Sequence, residues 1–542
     1  MKNKKFILWG LAAIVGIFLS FQSRFFEIAK QIEIYNNLFK EINMNYIDEV
    51  NPGDLTDKAI KNTLKHLDPY TNFYNEQDVE DVRIRREGEY GGIGVITYYG
   101  KQGITLSEIY KGFPADKAGL KAGDVIVEVN GQSLLGLENE ELSQILKGTP
   151  GKELSLKINR NNESKELQIK LDKIMINPVP FFDMIDEEIG YVVLTRFVSR
   201  KATEKVKKAI DSLKERGMTK LVFDLRSNPG GSLSDAINIT NLFIPKGEKV
   251  VDTRGKIRKN SKVYKTTNDP LDTEMPVIVL IDDRSASASE IVSGALQDYD
   301  RAVVLGKRSF GKGLVQRYYE LTYGTQAKIT ISKYYTPSGR CIQELDYANR
   351  DPKTGKVPKF SDGGEVSVFK TKKGRKVYDG GGVTPDVKSK LTDKNEVTKT
   401  LLKSKAVFHF ANEYAKRLGT IDSLNYQFDE SGFDEFKNFL LLKDTTFVTK
   451  EERLFKKAFK TIKNNEKIKS EYENLQLKLR QEKVHEISKN KDVLIINLEK
   501  EIMKMSFYKE GMYRHQLHND KVIKQAVDLL KNTKRYDAIL KK

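Results

Sequence analysis

Two nearly unbroken apolar runs, LVFDL (Leu221–Leu225) and PVIVLID (Pro276–Asp282), constrain the fold of this 542-residue chain more than any other feature. A strand that is hydrophobic on both faces must be covered on both faces, which is the condition of a strand inside a parallel sheet. YVVLTRF (Tyr191–Phe197) reads as a further strand. Between these runs Ala202, Val206, Ala209, Ile210 and Leu213 fall on one side of a helix that Gly217 closes. The alternation of strand and helix from 173 to 387 therefore predicts a layered α/β core.

The chain is too long for one such core. Residues 23–85 carry a helical pattern ending in the turn-rich LDPYTNFY (Leu67–Tyr74). Residues 86–172 form a glycine-marked region. There GEYGGIGVIT (Gly88–Thr97) leads into a strand, and KGFPADKAGLKAGDVIVEVNGQSL (Lys111–Leu134) holds a short helix, a glycine turn and a strand. ENEELSQILKG (Glu138–Gly148) reads as a helix and KELSLKINR (Lys152–Arg160) alternates as a strand. From 388 to 542 glycine and proline almost vanish, so this region reads as an all-helical extension. At the other end Lys2, Lys4 and Lys5 precede FILWGLAAIVGIFLSF (Phe6–Phe21), the layout of a secretory signal. The run borders on the length of a short membrane anchor and lacks a clean small-residue cleavage site, so residues 1–22 are expected to be a signal peptide or an N-terminal membrane anchor.

The formal charge of +18 invites a nucleic-acid reading. Lysine is interleaved with glutamate throughout, and no basic-aromatic cluster or zinc-ligand spacing occurs, so nucleic acid is not expected as a partner. The sole cysteine, Cys341, excludes an intramolecular disulfide and any cysteine-based metal cage. Neither a metal nor another cofactor is expected.

The chemistry concentrates between Ser285 and Gln316. SASASE opens a helix whose apolar stripe is Ile291, Val292, Ala295, Leu296 and Tyr299, so the helix is expected to begin near Ser287. A serine in that first turn sits beside free N–H groups at the positive end of the helix dipole, with the Ala288 N–H as a natural oxyanion donor. The turn SNPGGSL (Ser227–Leu233) offers a second donor through Gly230 and Gly231. Capping by Ser285, Ser287 and Ser289 is the competing reading. None of the five histidines, at 66, 409, 485, 515 and 518, lies between Val179 and Val387, so a serine nucleophile here needs another base. Lys312, bracketed by Gly311 and Gly313, can serve if desolvation keeps its amine neutral, whereas a solvated lysine in a glycine turn is the plain alternative. Gln316 either orients the pair or is an exposed polar residue. GKRSFGKG (Gly306–Gly313) approaches a P-loop, but Gly313 stands where the hydroxyl residue belongs and strands are expected to follow.

The ordered set LDPYTNFY, GGIGV, AGLKAGDVI, DLRSNPGGSL, SASASEI, FGKGLVQ, KYYTPSGRCIQ and GGGVTPDV, spanning about Leu67 to Val387, resembles the bacterial carboxyl-terminal processing (tail-specific) serine proteases. The resemblance implies an α/β Ser-Lys protease core (173–387) with an inserted PDZ domain (86–172) and helical N- and C-terminal regions. In that family the nucleophile precedes the lysine of G-K-G by twenty-five residues, which selects Ser287 among the three serines. Lys312 is then the general base and Gln316 its orienting partner, with Ala288 and the Gly230–Gly231 turn as oxyanion donors. Gly91, Gly92, Ile93, Gly94 and Val95 are the expected carboxylate loop and pocket of the PDZ domain, which captures apolar C-terminal tails. The activity implied is an endopeptidase cutting exported proteins near their C-termini in the bacterial periplasm, tethered to the inner membrane if the N-terminus is retained. The helical extension lies beyond the resemblance and is expected to serve a homodimer, an adaptor protein or the substrate entrance.

Overall fold

The computed structural model describes residues 25–100, 102–161, 163–198, 201–363, 366–419, 421–460 and 466–541. The apolar N-terminal segment falls outside the described residues. Among those described, no helix is long and apolar enough to cross a membrane. Two compact units emerge, one of residues up to 79 together with 318–329, the other comprising the rest.

In the smaller unit residues 25–45 form a helix, and a second helix, Pro52–Lys65, is capped by the Asn51 side chain with proline in its first turn. The strand Asn72–Tyr74 runs antiparallel to residues 326–328.

The larger unit contains the sheet foreseen from the apolar runs. Its strands lie in the order Phe181–Met184, Ile189–Val193, Lys220–Asp224, Val277–Ile281, Val303–Gly306 and Val387–Lys388. The first pair is antiparallel and all others are parallel. Side chains alternate strictly between two cores. Val192, Leu221, Phe223, Val277, Val279 and Val304 point toward the helices Lys201–Glu215, Leu233–Asn241 and Ala288–Asp298. Tyr191, Val193, Val222, Ile278, Leu280 and Leu305 point the other way, against Val522, Ile523, Ala526, Leu529 and Leu530 of helix Lys521–Lys531 and Tyr536 and Leu540 of helix Thr533–Lys541. The Tyr536 hydroxyl accepts from the Val277 N–H and donates to the Val277 carbonyl, both at 3.0 Å. The last two helices of the extension thus form the outer layer of the protease sheet.

The strand Lys249–Gly255 leaves this layer to pair with Lys262–Lys265 and with residues 332–335. Residues 95–170 fold into an antiparallel sheet with helix Asn139–Ile145 over a core of its own. The chain enters and leaves this module through one ribbon, Glu89–Gly92 paired with Asp172–Met175. Glu89 on that ribbon pairs with Lys173 and with Lys201 at the start of a core helix, and these two ammonium groups pull its carboxyl down to about 2.

From Glu396 onward the described residues carry helices and no strand, and their own aromatic core includes Phe410, Phe428, Phe433, Phe436 and Phe439. This bundle also touches the inserted module. Tyr98 lies 2.8 Å from His409 Nε2, and Tyr508 donates to Asp116 at 2.5 Å. Tyr508 (φ 59°) interrupts the helix Lys491–Asn519 at that contact.

Candidate active site

Helix Ala288–Asp298 starts directly after Ser287 and is buried along its whole length. Its far end is fixed by Arg340, which reaches Gln297 Oε1 at 2.7 Å and Asp298 at 2.8 Å, cations being favoured at a helix C-terminus. Ser287 itself has φ 56° and ψ −111°, a conformation that L-residues rarely adopt and that persists only when the surroundings impose it.

The three serines of SASASE separate by environment. Ser285 is fully buried, its Oγ donating to the Leu225 carbonyl at 2.8 Å and accepting from the Asp282 N–H at 2.9 Å. Ser289 is equally buried and donates to the Asn228 carbonyl at 2.9 Å. Ser287 alone of the three is partly exposed. The flanking serines tie neighbouring turns together through their hydroxyls, whereas Ser287 itself stands at the N-cap position of the helix.

Glu290, one turn into the helix, imposes the Ser287 conformation. One oxygen of its carboxylate accepts from the Ser287 N–H at 2.7 Å and from the Lys312 N–H at 2.9 Å. The other accepts from Ser309 Oγ at 2.6 Å and the Gly311 N–H at 2.7 Å. Two residues twenty-five positions apart thus have backbone nitrogens within two hydrogen-bond lengths of each other. From the opposite side the buried Tyr334 hydroxyl lies 2.7 Å from the Lys312 carbonyl and 3.1 Å from that of Ser287. Burial pushes the Glu290 carboxyl up to about 7, with its four donors acting in the opposite sense. Gln343 Oε1 holds the Gly313 N–H at 2.8 Å. A Cβ at Gly313 would lie 2.8 Å from the Gln343 nitrogen, and one at Gly311 2.6 Å from Glu344 Cβ, so these glycines permit the close passage of the lysine segment. Strand Leu314–Glu320 follows Lys312, where a P-loop would place a helix.

The SNPGG turn lies against Ser287. A Cβ on Gly230 would fall 2.9 Å from both Ser287 Cβ and the Ala288 nitrogen. The Gly230 N–H is already held by Asn228 Oδ1 at 2.9 Å. The N–H groups of Ala288 and Gly231 have no acceptor among the described residues. Gln316, partly buried on its strand, donates to Thr330 Oγ1 at 3.3 Å.

In the inserted module Gly91 and Gly92 sit on the entry ribbon opposite Lys173 and Asp172, so only Ile93 and Gly94 (φ 80°) form the bend before strand Val95–Gly100. Ile93 is buried in the module's core, and Val95 is partly exposed at the start of that strand.

Sequence reasoning missed Glu290, Tyr334, Ser309 and Gln343. The signal for Glu290 was present, since a glutamate three residues after a serine at a helix start is a capping-box pattern. Nothing local marks Tyr334, which arrives from another sheet.

A serine at a helix start, backbone donors around it and an inserted β-sheet module on the same chain fit a serine-type peptidase that carries a PDZ domain. The sequence family described as Peptidase family S41 matches residues 188–348, a PDZ domain family matches 105–160, and one described as "Probable PDZ-protease, C-terminal helical domain" matches 397–530. The carboxy-terminal-processing protease of Bartonella bacilliformis is 34% identical over 322 residues, covering 58% of this chain and 73% of that protein. A probable CtpA-like serine protease of Staphylococcus aureus is 34% identical over 309 residues, covering 56% of this chain and 61% of that one. The solved photosystem II D1 C-terminal processing protease shares 25% identity, with a TM-score of 0.37 and coverage of 65% and 92%. The chain belongs to the carboxy-terminal-processing proteases of peptidase family S41.

Proposed function

We propose that this C-terminal processing peptidase works through a Ser287–Lys312 dyad and selects its substrates by their C-terminal tails. The observation that carries the dyad is the double clamp by the Glu290 carboxylate and the Tyr334 hydroxyl, which ties the backbones of these two residues together. Neutral Lys312 accepts the Ser287 proton as Oγ attacks the scissile carbonyl. The Ala288 and Gly231 N–H groups, lacking acceptors among the described residues, suit the oxyanion. Lys312 then protonates the leaving amine, and water hydrolyses the acyl-enzyme. Gln316, on the strand that follows Lys312, orients the lysine.

Strand Val95–Gly100 is at the edge of the module's sheet, a position from which a substrate tail can add as a further strand ending at the Ile93–Gly94 bend. Export to the bacterial periplasm, with anchoring to the inner membrane if the leader is retained, rests on the Lys2–Phe21 pattern. Helix Lys450–Phe459 exposes Leu454 and Phe455, which fits a protein partner of the extension, either an adaptor or a second copy.

Ser287→Ala and Lys312→Ala should each abolish cleavage of an unstructured protein with an apolar tail while leaving the thermal unfolding transition in place. Undiminished turnover in either variant removes the dyad.

A further inference from the structure

The SNPGG turn is held from a part of the chain almost three hundred residues away. Arg226, the residue before this turn, directs its guanidinium away from the catalytic face. Its Nε donates to both oxygens of Asp224 at 3.0 Å and its Nη2 to Asp224 Oδ2 at 2.6 Å. Its Nη1 donates to Asp520 Oδ2 at 2.8 Å. Asp520 is 6% exposed and caps helix Lys521–Lys531, its other oxygen accepting from the Val522 N–H at 2.7 Å and the Ile523 N–H at 3.3 Å. Tyr191 donates to Asp224 Oδ2 at 2.7 Å, and Lys500 of the preceding helix adds a second cation beside Asp520.

The next links run toward the nucleophile. Ser227 (φ 60°) donates its N–H to Asp282 Oδ1 at 2.8 Å and its Oγ to Asp282 Oδ2 at 3.1 Å. The Asp282 carbonyl accepts the Ser285 N–H at 2.9 Å, and the Asn228 carbonyl accepts the Ala286 N–H at 3.0 Å. Hydrogen bonds on either side of the Arg226–Ser227 peptide link therefore join Asp520 to the turn in front of Ser287.

We propose that Asp520 and Arg226 are positioning residues for catalysis: the helical extension sets the register of the oxyanion turn through this buried ion pair. The inference rests on the reading of Gly231 and Ala288 as oxyanion donors. A fixed fork of charge-assisted bonds holds a strained turn better than an exposed pair does, and small misplacement of oxyanion donors costs rate more than binding. The extension is then part of the catalytic machinery's support.

The test uses the full-length chain and an unstructured peptide with an apolar tail. Asp520→Asn keeps a good helix cap while removing the charge. It should lower kcat roughly 10- to 100-fold with KM changed less than about twofold, at a temperature where unfolding curves show the variant folded. Arg226→Gln should do the same, and the double variant should be no worse than the poorer single one, because both remove one link. Arg226→Lys, which keeps charge without the fork, should fall between wild type and Arg226→Gln. Wild-type kcat in folded Asp520→Asn, a loss confined to KM, or penalties that multiply in the double variant would each overturn the proposal. Ser287→Ala, measured alongside, separates this from the dyad: retained activity there removes the site reading itself, whatever Asp520→Asn does.

Discussion

The two faces of the protease sheet are equally buried, yet they are built from different kinds of sequence. On one face the covering helices are the crossovers between successive strands, so each is a neighbour in the chain of what it covers. On the other, the cover comes from residues 517–540, which follow the last strand of the sheet by more than a hundred residues. The first face also contains helix Ala288–Asp298, which begins at Ser287, and tolerates a buried carboxylate. The second provides Asp520, which pairs with Arg226 at the head of the SNPGG turn. Proximity in the chain is thus no guide to what completes a core.

Ending the chain at Asn519 is the most severe way to break this comparison. The variant uncovers Tyr191, Val222, Ile278 and Leu280 at once and is expected to lose cooperative unfolding, followed by circular dichroism and dye binding. A folded, soluble product would make the two last helices an appendage. Less drastically, Ile210→Ala on the first face and Ile523→Ala on the second, both fully buried, should each cost about 2–5 kcal/mol in urea unfolding. An Ile523→Ala effect near zero beside a large Ile210→Ala effect would show that the faces are not equivalent.

The smallest effect is a pH dependence peculiar to the first face. Burial lifts the Glu290 carboxyl from 4.5 to about 7, so between these values the native state holds a proton that the unfolded chain has released. Stability from this group therefore falls as pH rises through that window, by at most about 3 kcal/mol, and is level above it. Glu290→Gln should remove this slope, seen as unfolding free energies from pH 5 to 8, and an unchanged slope would assign it elsewhere. Activity should move the other way. The carboxylate accepts four donors only when ionised, so kcat/KM should rise with pH through about 7.

These differences explain what could be read before the structure. LVFDL and PVIVLID revealed the sheet because burial on both faces leaves no polar position in the strand, and the stripe from Ile291 to Tyr299 placed the helix start near Ser287, where it lies. The same strands announced that something covers Tyr191 and Ile278, but not what. The covering helix Lys521–Lys531 has an ordinary amphipathic pattern that would suit many partners. Likewise Tyr334 looks like any strand tyrosine until its hydroxyl is found between two carbonyls. The GGIGV reading erred locally for a related reason: glycines suggest a loop, whereas Gly91 is a glycine because a Cβ there would lie 1.8 Å from the Gly148 carbonyl oxygen.

The outer layer also gives the protein a schedule. At about 5–20 residues per second, synthesis takes on the order of tens of seconds to go from the central strand Val277–Ile281 to Leu540. Ser287 and Lys312 both exist well before that interval ends, on a sheet whose second side is still bare. Neither that core nor the Arg226–Asp520 pair is complete until the end of the helical extension has been made. If Asp520 and Arg226 position the site as proposed, the nascent chain gains that support only when the extension has been produced.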